Sequence, residues 1–389
     1  MIKNARYWVL DNRGLNGLIK MTPGGIIGRP SVLKAWISYF ALRLLVAGLI
    51  FPEFAASAGQ PRLGSFLKRQ GDEIVVAGQF VHTGTRVVLW MDPGGYDAYR
   101  VERRFSPIEK SDWENSQAEV KELTSPNRYN LRRSGLTEEE MERVRGGGWD
   151  LPTLQKVVDQ FVIHFDACGT SRQCFNILQD HRGLSVHFML DLDGTIYQTL
   201  DVKERAWHAT SSNTRGVGIE IANIGAYAAN QQSPLGQWYV EEPNGQTRIT
   251  IPDKFGDGGL RTPGFVGHPK EAKLVRGNIQ GQDLVQYDFT PQQYRALIKL
   301  TATLVKVLPK INCDFPKNAD GRVRLEKLPD EELKNYQGVL GHFHVQKDKV
   351  DPGPAFQWDY VMRNARMLSH GGMSDAADAT SKGHMRSRD

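Results

Sequence analysis

This 389-residue sequence is poor in cysteine, in long apolar runs, and in any excess of one charge sign beyond its N-terminus. None of its three cysteines forms the Cys-x-x-Cys spacing of a zinc ribbon, which excludes that class of metal site. Seven of the 49 basic and two of the 44 acidic residues lie in residues 1–58, which leaves 42 of each sign. The remainder is therefore neutral and gives no support for nucleic-acid binding, which needs a basic face on a folded domain.

The longest apolar run near the N-terminus, residues 44–51, is about half the length of roughly 20 residues that a spanning helix needs. Basic residues precede this run, and the small residues Ala56, Ser57 and Ala58 follow it, which is the order of parts in a secretory signal peptide. We therefore predict that residues 1–58 are a signal peptide or a membrane anchor, with residues 35–51 as the anchoring segment. Either form predicts an extracytoplasmic protein, located in the periplasm, in the cell envelope or secreted.

Over the whole chain, apolar and charged residues are about as frequent as in soluble globular proteins. Strand-like and helix-like segments alternate along the chain, and a long helix is predicted from Thr290-Pro291 onward. This mixture predicts an α/β fold in which helices flank a central mixed β-sheet, with an N-terminal β-containing extension. The main predicted strands are residues 161–164, 186–190, 195–199 and 217–222.

Four segments are predicted along the chain. After the leader, residues 59–150 form an extension with a hairpin, whose strands are residues 73–81 and 86–91 and whose turn is His82–Thr85. We expect the extension to pack on the core, although its aromatic residues are also compatible with a carbohydrate- or wall-binding surface. The main domain spans residues 151–365 and contains an irregular insertion over 225–289, and residues 366–389 are a disordered tail.

Three side chains with metal-binding chemistry stand in suggestive settings. His164 ends a buried strand, His342 follows Gly341, and Asp351 opens a Pro-Gly loop nine residues later. Two imidazoles and one carboxylate would leave a tetrahedral Zn²⁺ with one open position, the arrangement of catalytic zinc sites. Their spacing does not match a local metal-binding motif. On chemistry alone, each residue can also be an ordinary packing or surface residue.

Five segments, in order, resemble the zinc-dependent N-acetylmuramoyl-L-alanine amidases, the family related to peptidoglycan recognition proteins and phage amidase-type lysozymes. The resemblance covers about residues 155–362 and implies the central sheet of that family. It leaves residues 59–150 unexplained, and the insertion is longer than compact members need. The matching segments are residues 162–164, 185–197, 206–209, 217–221, and a closing motif made of residues 341–342 and 349–358.

The resemblance implies a role for each matching polar residue. His164, His342 and Asp351 are implied to bind Zn²⁺, whose site activates a water molecule. Glu220 is implied to act as a general base and then as a general acid, although alternation along its strand could also direct it to solvent. Lys349 is implied to stabilise the developing oxyanion, or else to be a solvated loop charge.

Other residues are expected around this centre. Trp207, His208 and His187 are expected to line the cleft and contact the substrate, although His187 can equally be a residue of the core. Cys168 and Cys174 are close enough in sequence for a disulfide or for two buried thiols, and the resemblance to peptidoglycan recognition proteins implies the disulfide. His344, two residues after His342, is a second candidate ligand, and it is expected to support the metal site rather than to ligate the ion.

The expected function is that of an exported zinc amidase, which hydrolyses the amide between N-acetylmuramic acid and L-alanine of peptidoglycan during cell-wall turnover or degradation. An alternative is a peptidoglycan receptor of the same fold that binds without cutting. A third is a zinc hydrolase that acts on another amide or on small muropeptides. Peptidoglycan is the expected partner in the first two cases, and no nucleic-acid partner is expected.

Overall fold

The computed structural model of the chain describes residues 63–371. The predicted leader, its anchoring segment at 35–51 and most of the predicted tail lie outside these residues. Residues 63–67 contain no helix or strand and belong to a separate unit that ends at Leu67, and the compact unit begins at Lys68. Within residues 63–371, no helix is both long and apolar enough to cross a membrane.

The regular elements of residues 63–371 are short, apart from two helices near the end. The strands are β1 (Glu73–Val76), β2 (Gln79–His82), β3 (Val87–Leu89), β4 (Tyr129–Leu131), β5 (Gln160–Phe165), β6 (Phe188–Leu190), β7 (Ile196–Gln198), β8 (Glu204–Ala206), β9 (Gly216–Ile221), β10 (Tyr227–Ala228), β11 (Tyr239–Glu241), β12 (Thr247–Ile249), β13 (Val275–Ile279), β14 (Gln282–Gln286) and β15 (Gly338–Gly341). The helices are α1 (Trp113–Glu119), α2 (Glu138–Arg145), α3 (Leu151–Val157), α4 (Ser171–Phe175), α5 (Leu235–Trp238), α6 (Pro291–Val307), α7 (Asp330–Asn335), α8 (His342–Val345) and α9 (Trp358–Ser369).

A six-stranded mixed sheet in the order β15-β5-β9-β6-β7-β3 forms the centre of the unit. β15, β5, β9 and β6 run parallel, whereas β7 pairs antiparallel with β6 and parallel with β3. Strands β5, β6 and β9 are buried along almost their whole length, because helices cover a parallel sheet on both faces. This arrangement confirms the predicted α/β class with a central mixed sheet.

Helix α6 supplies much of the packing against this sheet. Its N-terminus carries a capping box in which the side chains of Thr290 and Gln293 each bond the other's backbone N–H, with Pro291 in the first turn. The apolar stripe of α6 joins the main hydrophobic core with residues of β5, β6, β9 and α9. Burial of this stripe, rather than helix propensity, stabilises so long a helix.

The hairpin predicted at 73–81 and 86–91 is wrong in its turn and in its pairing. β1 and β2 pair with each other, and Ala77 and Gly78 between them have φ angles of 50° and 76°. A two-residue turn with both φ angles positive matches the twist of the strands, so the chain reverses there and not at His82–Thr85. β3 instead leaves the hairpin and adds to the edge of the central sheet beside β7.

Buried polar side chains of the core hold the extension in place. The side-chain amide of Gln198 donates to Val75 O at 2.8 Å and accepts from Val75 N at 2.7 Å, in place of a backbone ladder. The Asp201 carboxylate accepts from the N–H groups of Ala77 and Gly78 at 2.9 and 2.7 Å. The extension is therefore packed on the core over residues 68–150, in the same compact unit.

The insertion and the C-terminal segment are more regular than expected. Within residues 225–289 the chain forms a three-stranded sheet, β10-β14-β13, and a separate β11–β12 hairpin around a small apolar cluster. Helix α9 continues to Ser369, past residue 366, where we expected the tail to begin. It stays helical because one face of α9 is buried against α6 and the core.

Replacing Asp201 with alanine should detach the β1–β2 turn. The change leaves the buried N–H groups of Ala77 and Gly78 without an acceptor, so we expect the free energy of unfolding to fall by about 2–4 kcal/mol. Urea denaturation measures the loss. The matched control is Asp253→Ala, because Asp253 is exposed and its side chain makes no hydrogen bond within the described residues. Equal stability of the two variants would contradict the role given to Asp201.

Candidate functional site

The cleft of the unit opens where the parallel strands β15, β5 and β9 end. It has a volume of about 490 Å³, and its lining includes His164, Glu220, His342, Lys349 and Asp351. His164 and Glu220 face each other directly in the register of β5 and β9. His342 begins α8 immediately after β15, so the strand ends alone bring three of these side chains to one edge.

The ligand atoms of the predicted metal site converge. His164 Nδ1 lies 2.8 Å from Asp351 Oδ2 and 3.0 Å from His342 Nδ1, and His342 Nδ1 lies 3.0 Å from Asp351 Oδ2. Ligands around a tetrahedral Zn²⁺ at about 2.0–2.2 Å are themselves separated by roughly 3.3 Å. The chemistry and the spacing of these three donors therefore fit a Zn²⁺ ion.

The other ring nitrogens of the two histidines have partners that orient them. His164 Nε2 lies 3.0 Å from His208 Nδ1, and His342 Nε2 lies 2.7 Å from Gln346 Oε1. With Nδ1 facing the metal position, His342 Nε2–H donates to the Gln346 amide oxygen, which selects the tautomer required of a ligand. Gln346 was not predicted, and its only signal in the sequence is the four-residue spacing from His342.

Electrostatics within the trio favour a charged carboxylate between two imidazoles. Burial works against ionisation of Asp351, yet the adjacent His342 and His164 hold its pKa well below the usual range. Burial and the neighbouring His342 lower the pKa of His164 to about 4. His164 is therefore a neutral imidazole at neutral pH, the protonation state that binds a metal.

Glu220 is the second carboxyl group of the cleft. Its residue is 9% exposed, and its Oε2 atom is buried without a hydrogen-bond partner among the described residues. Burial, followed by the charges of Asp351 and Asp166, raises the pKa of Glu220 well above its ordinary value. The group is therefore suited to exchanging a proton, and it does not point to bulk solvent as strand alternation alone would have allowed.

The positions of Trp207 and His208 agree with the prediction, since both line the cleft. His208 also supports His164, and its Nε2 atom is buried without a partner in the described part of the chain. Gly218 makes this possible, because a Cβ there would lie 2.6 Å from the imidazole of His208. Lys349 lines the cleft as predicted, whereas Lys347 does not.

The prediction that His187 contacts substrate is wrong. Its side chain is fully buried and does not line the cleft. Its Nδ1 accepts from Gly218 N at 3.1 Å, and its Nε2 lies 2.9 Å from Glu204 O and 3.1 Å from Arg132 Nη2. His187 thus ties β8 and β9 together beneath the cleft.

The predicted disulfide is also absent, because Cys168 and Cys174 are free thiols. Cys168 lies in the loop after β5, where the Asp166 carboxylate accepts from its backbone N–H, and Cys174 lies in α4. Burial, followed by the neighbouring Cys168 thiol, raises the pKa of Cys174 well above its ordinary value, so it stays protonated.

His344, the alternative ligand, is occupied elsewhere. Its Nδ1 accepts from Gly341 N at 2.9 Å and its Nε2 lies 2.7 Å from Arg324 O. With both nitrogens bonded to backbone and no exposed surface, His344 holds α8 against its surroundings. It does not belong to the group of three ligand atoms.

Comparisons with known proteins point to one family. A family model described as N-acetylmuramoyl-L-alanine amidase matches residues 154–354, just over half of the chain. Among curated proteins nothing matches.

Three solved structures of low identity show similarity. They are a selenomethionine derivative of AmpD (15% identity, TM-score 0.27, covering 61% of this chain and 89% of that one), Escherichia coli AmiD with an anhydro-muropeptide substrate (18%, 0.28, 53% and 57%), and the Clostridium intestinale endolysin LysCS (14%, 0.28, 55% and 86%). The family model covers the residues that carry His164, Glu220, His342 and Asp351. The chain belongs to the N-acetylmuramoyl-L-alanine amidase family.

Proposed function

We propose that this protein is a zinc-dependent N-acetylmuramoyl-L-alanine amidase that cleaves peptidoglycan between the lactyl group of N-acetylmuramic acid and L-alanine. The observation that carries the proposal is the convergence of His164, His342 and Asp351 beside Glu220 in one cleft. When bound by the three ligands, Zn²⁺ supplies a Lewis acid and lowers the pKa of a water molecule. Membership of the amidase family supports the choice of bond.

The remaining chemistry belongs to the side chains of the cleft. Glu220 accepts the proton of the attacking water and delivers it to the leaving amine nitrogen, so one group serves both halves of the reaction. Lys349 brings a positive charge to the cleft, where it stabilises the oxyanion that develops on the scissile carbonyl. Trp207 and Ile177 supply apolar walls that exclude water from the bound glycan and peptide.

An extracytoplasmic location is part of the proposal. Its support is the order of basic, apolar and small residues in residues 1–58. Such a location would bring the enzyme to its substrate, the cell wall. Cleavage of the leader can be read directly from the N-terminus of the mature protein.

Digestion of purified peptidoglycan by the zinc-loaded full chain tests the function. We expect mass spectrometry of the soluble fraction to find free stem peptides that begin with L-alanine, together with glycan that lacks them. Retention of the protein on the wall without released peptide would contradict the amidase and support the receptor. Cleavage of isolated muropeptides alone would restrict the substrate to small fragments.

Replacing Glu220 with glutamine should separate metal binding from turnover. The amide is isosteric but cannot accept the proton of water, so we expect turnover to fall at least about 100-fold while zinc content stays at wild-type level. Rates are followed with muropeptide, and zinc by elemental analysis. The control is Glu241→Gln, an exposed glutamate on β11. Full activity of the Glu220 variant would show that another group is the base.

Removal of a ligand should abolish tight zinc binding. We expect His164→Ala and Asp351→Ala each to lose the ion on dialysis, because two donors from the trio and water hold Zn²⁺ far less tightly than three. Zinc per chain is measured after dialysis, with circular dichroism to verify folding. The control is His370→Ala, an exposed histidine after α9. A folded Asp351 variant with stoichiometric zinc would exclude Asp351 as a ligand.

A further inference from the structure

The tip of the β13–β14 hairpin, in the insertion, has an unusual residue for its backbone. Ile279 pairs with Gln282, so the turn consists of Gln280 and Gly281 alone, with φ angles of 53° and 78°. Two-residue turns with positive φ at both positions favour asparagine, aspartate or glycine first. A glutamine there is strained by its Cβ, and such strain persists only where the surroundings compensate for it.

The compensation comes from the side chain of Gln280. Its Nε2 lies 2.7 Å from Gln346 O, 2.8 Å from Lys349 O and 3.3 Å from Phe343 O. One amide group thus meets three carbonyl oxygens from a single stretch of chain. The backbone N–H of Gln280 also donates to Leu325 O at 3.0 Å, which fixes the turn itself.

These three carbonyls belong to the segment that carries two of the proposed zinc ligands. His342 and Asp351 bound the segment, and Lys349 lies within it. α8 is a single turn, so its last carbonyl groups lack helical partners. Backbone hydrogen bonds within the segment join Gln346 N to His342 O, Lys349 N to Gln346 O and Phe343 N to Asp351 O. None of these uses the carbonyl of Phe343 or Lys349, and Gln280 supplies the donor that joins both to the Gln346 carbonyl.

A second glutamine of the same hairpin holds the chain just after Asp351. The fully buried Gln286 donates from Nε2 to Pro352 O and accepts from Ala355 N, both at 3.1 Å. The hairpin therefore forms hydrogen bonds with the chain on both sides of Asp351. These contacts give the insertion a structural role that could not be inferred from the sequence.

We propose that Gln280 is a positioning residue for the metal centre, and that the β13–β14 hairpin preorganises the segment 342–351 for Zn²⁺. The inference rests on the proposed zinc-dependent function. Gln280 does not line the cleft, and it acts by fixing the backbone from which His342 and Asp351 project. Groups that orient ligands in this way change metal affinity when they are altered.

Gln280→Asn tests this role without weakening the turn. Asparagine suits the left-handed conformation at this position, so the turn itself is kept, but its amide is one methylene too short to reach the three carbonyls. We expect zinc affinity to fall roughly ten- to hundredfold in competition with a chelator. We also expect the visible absorption of the Co²⁺-loaded protein to change. Gln280→Gly, which suits the turn and removes the whole amide, should behave alike.

The matched control is Gln282→Asn, the same chemical change two residues away. The Gln282 side chain is exposed and makes no hydrogen bond within residues 63–371, so its variant should keep wild-type affinity and absorption. Wild-type zinc affinity and an unchanged Co²⁺ spectrum in Gln280→Asn would overturn the positioning role alone. Failure of the wild-type chain itself to bind zinc would overturn the proposed function and this inference together. Weakened zinc binding without peptidoglycan cleavage by the wild type would support Gln280 and reject the substrate.

Discussion

The parallel register of β15, β5 and β9 is the constraint on which the site depends. It sets His164 beside Glu220 and Gly341 beside Ile163. His342, the residue after Gly341, therefore leaves the sheet at the level of His164. Carboxyl ends of parallel strands meet at one edge, and a cleft at that edge can collect side chains far apart in sequence. A shift of one residue in β9 would send Glu220 to the opposite face of the sheet.

Parallel strands need both faces covered, and this chain covers them partly with polar side chains. Arg132 of the extension is fully buried and donates to backbone carbonyls of Val202, Asn213, Thr214 and Gly216. It also contacts His187, whose other ring nitrogen accepts from the backbone N–H of Gly218, two residues before Glu220 on β9. The extension and the wall of the cleft are thus joined through one buried guanidinium group. Such a network is stable only while each member is satisfied.

Both the extension and the insertion are joined to the core by glutamine or aspartate side chains where strands do not pair. The Gln198 amide makes the hydrogen bonds to the Val75 backbone that a neighbouring strand would otherwise make. Gln280 and Gln286 do the same for the segment that contains Asp351. A side-chain amide can donate and accept at once, as a peptide group does. It therefore joins irregular backbone without requiring that backbone to become a strand.

Sequence patterns alone were sufficient to predict the fold class, the long helix α6, the strands β6 and β7, and the three side chains of the trio. The elements follow from local periodicity and capping residues. The trio follows from motifs that occur in the same order as in a known family. Long-range packing determines that β3 pairs with β7 in the central sheet, that His187 is buried in the core, and that Cys168 and Cys174 are free thiols. Only the tertiary structure revealed Gln346 and Gln280 beside the ligands. Each of these features depends on a contact between residues that are far apart in the sequence. Local sequence patterns do not predict such contacts.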